Sequence, residues 1–189
     1  MKIVLISGKM GSGKTTLATA LRHEYHDGPV YLLNFADALY QMHDFCRIFL
    51  YDAGIKPSET KDRKLLQWLG TEWGREIDPD IWVKILKSNV RFRMEQRNDD
   101  GHFSGNELFI VADCRFENEV TAFPEAVKVR LECSREIRKA RCSKWTETDG
   151  HPSEVGLDDF KDWDLVLDTG TTSVEVCARM VIDKVKGRP

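Results

Sequence analysis

Met1-Lys2-Ile3-Val4-Leu5-Ile6-Ser7-Gly8-Lys9-Met10-Gly11-Ser12-Gly13-Lys14-Thr15 opens the chain, and its reading governs the rest. Ile3 to Ser7 is a short run rich in β-branched residues, the signature of a strand buried on both faces. Gly8 to Thr15 then matches the phosphate-binding pattern G-x-x-x-x-G-K-[ST] in full. Glycines let the backbone curl into a nest of N–H groups, and a helix beginning near Lys14 adds partial positive charge at its N-terminus. Gly8, Lys9, Met10, Gly11, Ser12, Gly13, Lys14, Thr15 and Thr16 are therefore the candidate ATP-binding residues. Lys14 should reach the β- and γ-phosphates, and Thr15 should place its hydroxyl on Mg²⁺. The bland alternative is a glycine turn with a solvated lysine. Such a match seldom falls by chance at the end of the first strand of an α/β chain.

Outward from this loop, strand-like runs alternate with helical patterns, which predicts a five-stranded parallel sheet flanked by helices, the P-loop NTPase class of α/β fold. Helix is expected over about 14–26, closed by Asp27-Gly28-Pro29, and a second strand over Val30 to Phe35. A helix over about 36–53 should bring Leu39, Met42, His43, Phe45, Cys46 and Phe49 near one face, with Gly54 as its cap. A further helix starts at Thr60 or Lys61 and reaches about Glu76. Asp78-Pro79 reads as an N-cap with proline in the first turn of the next helix, to about Gln96. Strands are expected over Leu108 to Ala112, Val127 to Glu132 and Leu165 to Leu167. Ser134 should cap a short basic helix ending near Lys144, Trp145 to Gly156 reads as irregular, and Val174 to Lys186 as the closing helix. The chain is read as a single domain over 1–189, with a helical acceptor-binding insertion over about 36–96 and a short lid over about 135–156.

With 189 residues, 41% hydrophobic and 31% charged, the composition is that of one globular α/β domain. A net charge of -3 argues against a nucleic-acid partner. Ile3 to Ile6 is too short for a secretory signal or a membrane span, so a cytoplasmic protein with no membrane partner is expected. Cys46, Cys114, Cys133, Cys142 and Cys177 are odd in number and form no C-x-x-C pair, as for reduced thiols. Cys133, Cys142 and His151 lack a fourth ligand and match no common zinc spacing.

Several residues carry candidate chemistry. Leu108 to Asp113 is an apolar strand ending in a carboxylate, and after a full P-loop that Asp113 is a candidate Mg²⁺ ligand. Arg115 is open to two readings, a phosphate contact or an ion pair with Glu117 or Glu119. Arg63, Gln67, Thr71 and Arg75 recur every fourth position and form one polar stripe on a helix. Solvent is the default partner of such a stripe, but Gly70 and Gly74 cost about 1 kcal/mol each in a helix and suggest close approach of a backbone or a ligand. Trp82 is either core or a flat surface for a base. Arg135, Arg138 and Arg141, three apart, lie along one side of a short helix. Solvation is the ordinary reading of any one of them, whereas phosphoryl transfer gives Arg138 and Arg141 a role in neutralising the transferring group beneath a lid. Two roles are open to Asp37: binding a sugar hydroxyl, or holding an acceptor-binding arginine.

Four blocks, in order, carry a resemblance. Asn34-Phe35-Ala36-Asp37-Ala38-Leu39, Leu65-Leu66-Gln67-Trp68-Leu69-Gly70-Thr71-Glu72-Trp73-Gly74-Arg75 with Asp80-Ile81-Trp82-Val83, Asp113-Cys114-Arg115-Phe116-Glu117-Asn118-Glu119, and His151-Pro152-Ser153-Glu154 resemble the phage deoxynucleoside monophosphate kinase family. Ala38 stands where proline is usual there, a backbone feature that leaves the chemistry intact. The resemblance implies ATP- and Mg²⁺-dependent conversion of deoxynucleoside monophosphates to diphosphates, the strand order of nucleoside monophosphate kinases, and commonly a homodimer. It places Glu72, His151 and Glu154 beside Asp37, Arg63, Gln67, Thr71, Arg75, Trp82 and Arg115 as substrate-binding candidates. An acceptor phosphate is already ionised at neutral pH, so positive charge and positioning are needed rather than a general base.

Rival readings are a P-loop kinase acting on phosphomevalonate or a nucleoside, a GTPase switch, and a nucleic-acid-dependent ATPase or end-kinase. The absence of an N-K-x-D sequence, and of glycine at the third place after Asp113, argues against the switch. Net charge argues against the last.

Overall fold

A computed structural model of the chain describes residues 1–57, 62–99, 105–142, 145 and 152–188. These form two compact units, one of Met1–Asn34 with Phe92–Pro189 and one of Phe35–Arg91.

The first unit is built on strands β1 (Lys2–Gly8), β2 (Val30–Leu33), β3 (Leu108–Cys114), β4 (Val127–Glu132) and β5 (Leu165–Asp168). They form one wholly parallel sheet in the order β2-β3-β1-β4-β5. Parallel strands need crossovers, and these are the helices α1 (Lys14–Glu24), α6 (Glu117–Thr121), α7 (Arg135–Arg141) and α8 (Pro152–Val155) together with the insertion after β2, while α9 (Val174–Lys186) follows the last strand. Val4 and Ile6 of β1 and Val127, Val129 and Leu131 of β4 share one face of the sheet. They pack with Leu17 and Leu21 of α1 and Cys177, Ala178, Val181 and Val185 of α9 in the main core. Side chains alternate along a strand, so Ile3, Leu5, Phe109 and Val111 are buried against the other face. There Phe109 stacks on Tyr31 at 5.0 Å between centroids. β1 is central, and the loop that leaves it emerges where its neighbours β3 and β4 diverge, the position at which open α/β sheets bind ligands.

The second unit contains α2 (Asp37–Asp52), α3 (Arg63–Gln67), α4 (Gly74–Ile77) and the first part of α5 (Ile81–Asp99).

Several boundaries differ from expectation. β2 stops at Leu33, and Phe35 is a buried residue of the second unit. The expected single helix across 60–76 is interrupted: Trp68–Trp73 is π-helical, between α3 and α4. Asp78 does turn the chain, its Oδ1 accepting the Asp80 N–H at 2.9 Å, but α5 begins at Ile81 rather than at Pro79. Along α2, His43 is buried, whereas Phe45 and Phe49, expected near the same face, point outward, 65% and 76% exposed. The short helix α8 lies in a stretch read as irregular, and α6 in one given no element. Ser134 caps α7 as expected, its hydroxyl accepting the Ile137 N–H. All five cysteines are free. Among the described residues no helix is long and apolar enough to cross a membrane.

Candidate active site

The Gly8–Thr15 loop joins β1 to α1. Gly11 and Gly13 hold φ of 79° and 92°, a left-handed backbone that other residues adopt only with strain. At Gly11 space forbids a side chain as well, since a Cβ there would lie 2.7 Å from the Arg138 carbonyl oxygen and 2.9 Å from Cys142 Sγ. The nest is therefore fixed by its glycines and braced from behind by α7.

Lys14 Nζ curls back over the loop, donating to the carbonyl oxygens of Gly8 and, at 3.0 Å, Lys9. Its pKa falls from the ordinary 10.5 to about 8: burial is the main cause, Arg115 and Arg130 push the same way, and Glu154 and Asp113 pull it partly back. Asp113 stands at the carboxyl end of β3 and is half-buried, while Thr15 and Thr16 are exposed on the first turn of α1. The Arg115 guanidinium pairs with neither Glu117 nor Glu119, the partners expected for an ion pair. It pairs with Glu154 and also donates to the Ser153 carbonyl at 3.0 Å. Glu119, buried at 3% exposure, instead accepts the backbone N–H groups of Arg115 at 2.7 Å and Phe116 at 3.2 Å, fixing the turn after β3. Glu154 accepts the Met10 N–H at 3.0 Å, which brings α8 onto the rim of the loop.

Arg138 and Arg141, expected together under a lid, diverge. Arg138 is buried, donates to the Met10 carbonyl at 3.1 Å and lies 5.4 Å from the Trp145 ring centroid. Arg141 is exposed and reaches Thr169, with Nη2 donating to its carbonyl at 2.8 Å. His151 and most of the stretch between α7 and α8 lie outside the described residues.

Two cavities flank the loop. One, of about 300 Å³, is lined by Gly13, Thr16 and Leu17 of the loop and α1, by Arg141, and by Thr169, Thr172, Ser173, Val174 and Cys177. Its far wall is the turn after β5, organised by Asp168, which accepts the Gly170 N–H at 2.8 Å and the Thr171 hydroxyl at 2.9 Å. Those bonds hold its carboxyl below the usual range. The other, of about 510 Å³, is bounded by Lys9 and Ser12 of the loop and by Arg130, Arg138, Asp158 and Asp168. There Asp158 bridges Lys9 and Arg130, each at 2.9 Å. Sequence reasoning assigned no role to Arg130, Asp158 or the 169–174 turn. The signal available was the run Asp168-Thr169-Gly170-Thr171-Thr172-Ser173, a hydroxyl-rich turn directly after the last strand.

In the second unit, Trp82 is 3% exposed and donates from Nε1 to the Gly70 carbonyl at 2.9 Å. It is a core residue, and the base-stacking role is withdrawn. Gly74 is required because a Cβ there would meet Trp82 Cζ2 at 2.5 Å, and at Gly70 the neighbour is Leu39. Packing accounts for both glycines without a ligand. Arg75 donates to the Pro79 carbonyl at 3.0 Å, Asp37 opens α2, Gln67 and Thr71 are half-buried and Glu72 is exposed. The backbone of Arg63 opens α3, and its side chain lies outside the described residues. The π-helical turn also breaks the expected stripe, because wider turns rotate Thr71 away from a four-residue repeat.

A P-loop between the first strand and first helix of a parallel sheet in this order defines a P-loop NTPase. A family profile described as an AAA domain matches residues 4–160, and the chain belongs to that family. No curated protein matches the sequence. Among solved structures, the APS kinase of Mycobacterium tuberculosis in complex with AMPPNP and APS superposes with a TM-score of 0.56 at 16% identity, over 98% of each chain. The shikimate kinase of Aquifex aeolicus superposes at 0.53 and 15%, over 99% of this chain and 97% of that one. An unliganded sugar kinase of Janibacter superposes at 0.50 and 21%, over 97% and 95%. At such identities the likeness is one of fold.

Proposed function

We propose that the protein transfers the γ-phosphoryl group of ATP to the 5′-phosphate of a deoxynucleoside monophosphate, giving ADP and the diphosphate. The observation that carries the phosphoryl-transfer reading is Lys14. A cation half-buried on the carbonyls of its own loop, with its proton affinity lowered to about 8, is a group in want of a polyanion. The cavity lined by Thr16, Leu17, Arg141 and Val174 adjoins the α1 end of the loop and has room for a base, with the flat Arg141 guanidinium available to stack on it. The donor then lies with its base in that cavity and its phosphates across the loop amides.

In the reaction, an oxygen of the acceptor phosphate forms a bond to the γ-phosphorus as the bond to the β–γ bridging oxygen breaks, and ADP departs with the electron pair. No side chain has to remove a proton. The loop amides and Lys14 hold the donor in line and offset the charge that builds on the leaving oxygen. Thr15 and Asp113 fit the Mg²⁺ that P-loop kinases use: the hydroxyl is exposed beside the loop, and the carboxylate is near enough to Lys14 to raise its proton affinity. When bound, that ion neutralises charge between the β- and γ-phosphates. Asp37, Arg63, Gln67, Thr71, Glu72 and Arg75 of the second unit are assigned to the acceptor, on the strength of the four sequence blocks.

A second reading keeps the same donor chemistry and changes the acceptor to a different small molecule. ADP release measured against a panel of deoxy- and ribonucleoside monophosphates, with phosphomevalonate and nucleosides as controls, separates the two. Turnover with at least one deoxynucleotide is expected. Turnover with phosphomevalonate or a nucleoside alone would overturn the acceptor assignment.

A further inference from the structure

Glu154 is a carboxylate seated on the loop just assigned to phosphates. Its Oε2 accepts the Met10 N–H at 3.0 Å, its other oxygen pairs with Arg115, and its side chain is only 8% exposed. An anion bonded to an amide of a P-loop takes a place that such a loop offers to a phosphate oxygen.

Which phosphate it stands in for follows from the direction of the loop. The base-sized cavity touches Gly13 and Thr16, at the α1 end. Lys14 Nζ lies at the other end, on the carbonyls of Gly8 and Lys9, with Met10 next in sequence. Phosphates entering from the cavity run from the first turn of α1 toward Met10. The α- and β-phosphates fall on the near amides, and the γ-phosphate arrives where Glu154 is bonded. Two anions cannot share one N–H donor at hydrogen-bond distance, because like charges so close raise each other's energy steeply.

We infer that Glu154 is a resident anion of the P-loop and a specificity-determining residue: ADP binds with Glu154 in place, whereas ATP must displace it. Displacement strips Arg115 of its carboxylate partner beside the incoming γ-phosphate, for which a guanidinium has the matching fork of donors. The contact thus sets the preference between the two nucleotides and couples arrival of the γ-phosphate to freeing an arginine. The inference rests on the reading of the loop as an ATP site.

The test is equilibrium binding of ADP and of the non-hydrolysable AMPPNP to wild type, Glu154→Gln and Arg115→Gln, with thermal melting of each protein as a check of folding. Glu154→Gln keeps an acceptor for the Met10 N–H and removes the charge. It is expected to tighten AMPPNP by about tenfold or more while ADP moves by less than about twofold. Arg115→Gln is expected to weaken AMPPNP and spare ADP. Equal shifts for both nucleotides in Glu154→Gln, or weaker AMPPNP binding, would overturn the inference and leave the ATP site standing. If neither nucleotide bound any of the three folded proteins, the ATP reading itself would fall.

Discussion

Gly70 and Gly74 lie four residues apart in the same interrupted helix, yet replacing each with alanine should have different consequences. At Gly74 a new Cβ would sit 2.5 Å from Trp82 Cζ2 and 2.7 Å from the Leu69 carbonyl oxygen. Trp82 cannot swing aside, because it is buried and tethered by its bond to the Gly70 carbonyl. Overpacking of this kind costs about 1–3 kcal/mol. The helical gain of alanine over glycine returns about 1 kcal/mol. A net loss of roughly 0–2 kcal/mol is therefore expected for Gly74→Ala. At Gly70 the neighbour is Leu39 Cδ1 at 3.0 Å, the end of a side chain that can give way, so Gly70→Ala should be neutral or stabilising by up to about 1 kcal/mol. Urea unfolding of the two variants, with Trp82→Phe and Gly74→Ala/Trp82→Phe to complete a cycle, measures this. The smaller phenylalanine should relieve the clash, so the double variant should lose less than the sum of the singles. Equal stabilisation by both alanines, together with a raised KM for the acceptor, would refute the packing account and restore a ligand to the glycine face.

Other expectations follow from single contacts. Lys14→Met should abolish phosphoryl transfer yet raise the thermal stability of the ligand-free protein at neutral pH, because folding lowers the pKa of Lys14 and so penalises its charged form. By the same sign, wild type should gain stability relative to Lys14→Met as pH rises from about 8 towards 10.5, the window between its folded and ordinary values, and denaturation across that range checks it. Arg75→Ala should raise KM for the acceptor and leave KM for ATP unchanged in steady-state kinetics. Phe45 and Phe49, 65% and 76% exposed, with Ile48, Tyr51 and Ile55 about half exposed, offer on the order of 500 Å² of apolar surface on and just after α2, taking ~150–250 Å² per aromatic side chain. That is a large share of the ~800 Å² each partner buries in a standard interface, so we propose this face as the contact of a homodimer: sedimentation should give twice the chain mass for wild type and the single-chain mass for Phe49→Asp, and a monomeric wild type would refute it.

What the sequence disclosed follows the range of the forces involved. The P-loop, the alternation of strands and helices, the Ser134 cap and the closing helix are written in local patterns, and the structure has them where they were read. The unbroken apolar run of β1 marked it as a buried strand, and its place at the centre of the sheet came only with the structure. Contacts between distant residues were not readable. Nothing local in Arg115 distinguishes Glu154, far along the chain, from the nearby Glu117 and Glu119 as its partner. Trp82 could be read as core or as ligand surface until its bond to Gly70 was seen. Trp68–Trp73 is π-helical, with Gly70 and Gly74 packed against Leu39 and Trp82, so a four-residue repeat read from sequence overstated the regularity of that helix.

The most direct measurement uses ATP radiolabelled at the γ position, incubated with the protein and a deoxynucleoside monophosphate, with the products separated by chromatography. The label should move to the deoxynucleoside diphosphate, and Lys14→Met should leave it on ATP. Label recovered only as inorganic phosphate, at the same rate with and without the deoxynucleotide, would show a hydrolase and contradict the account.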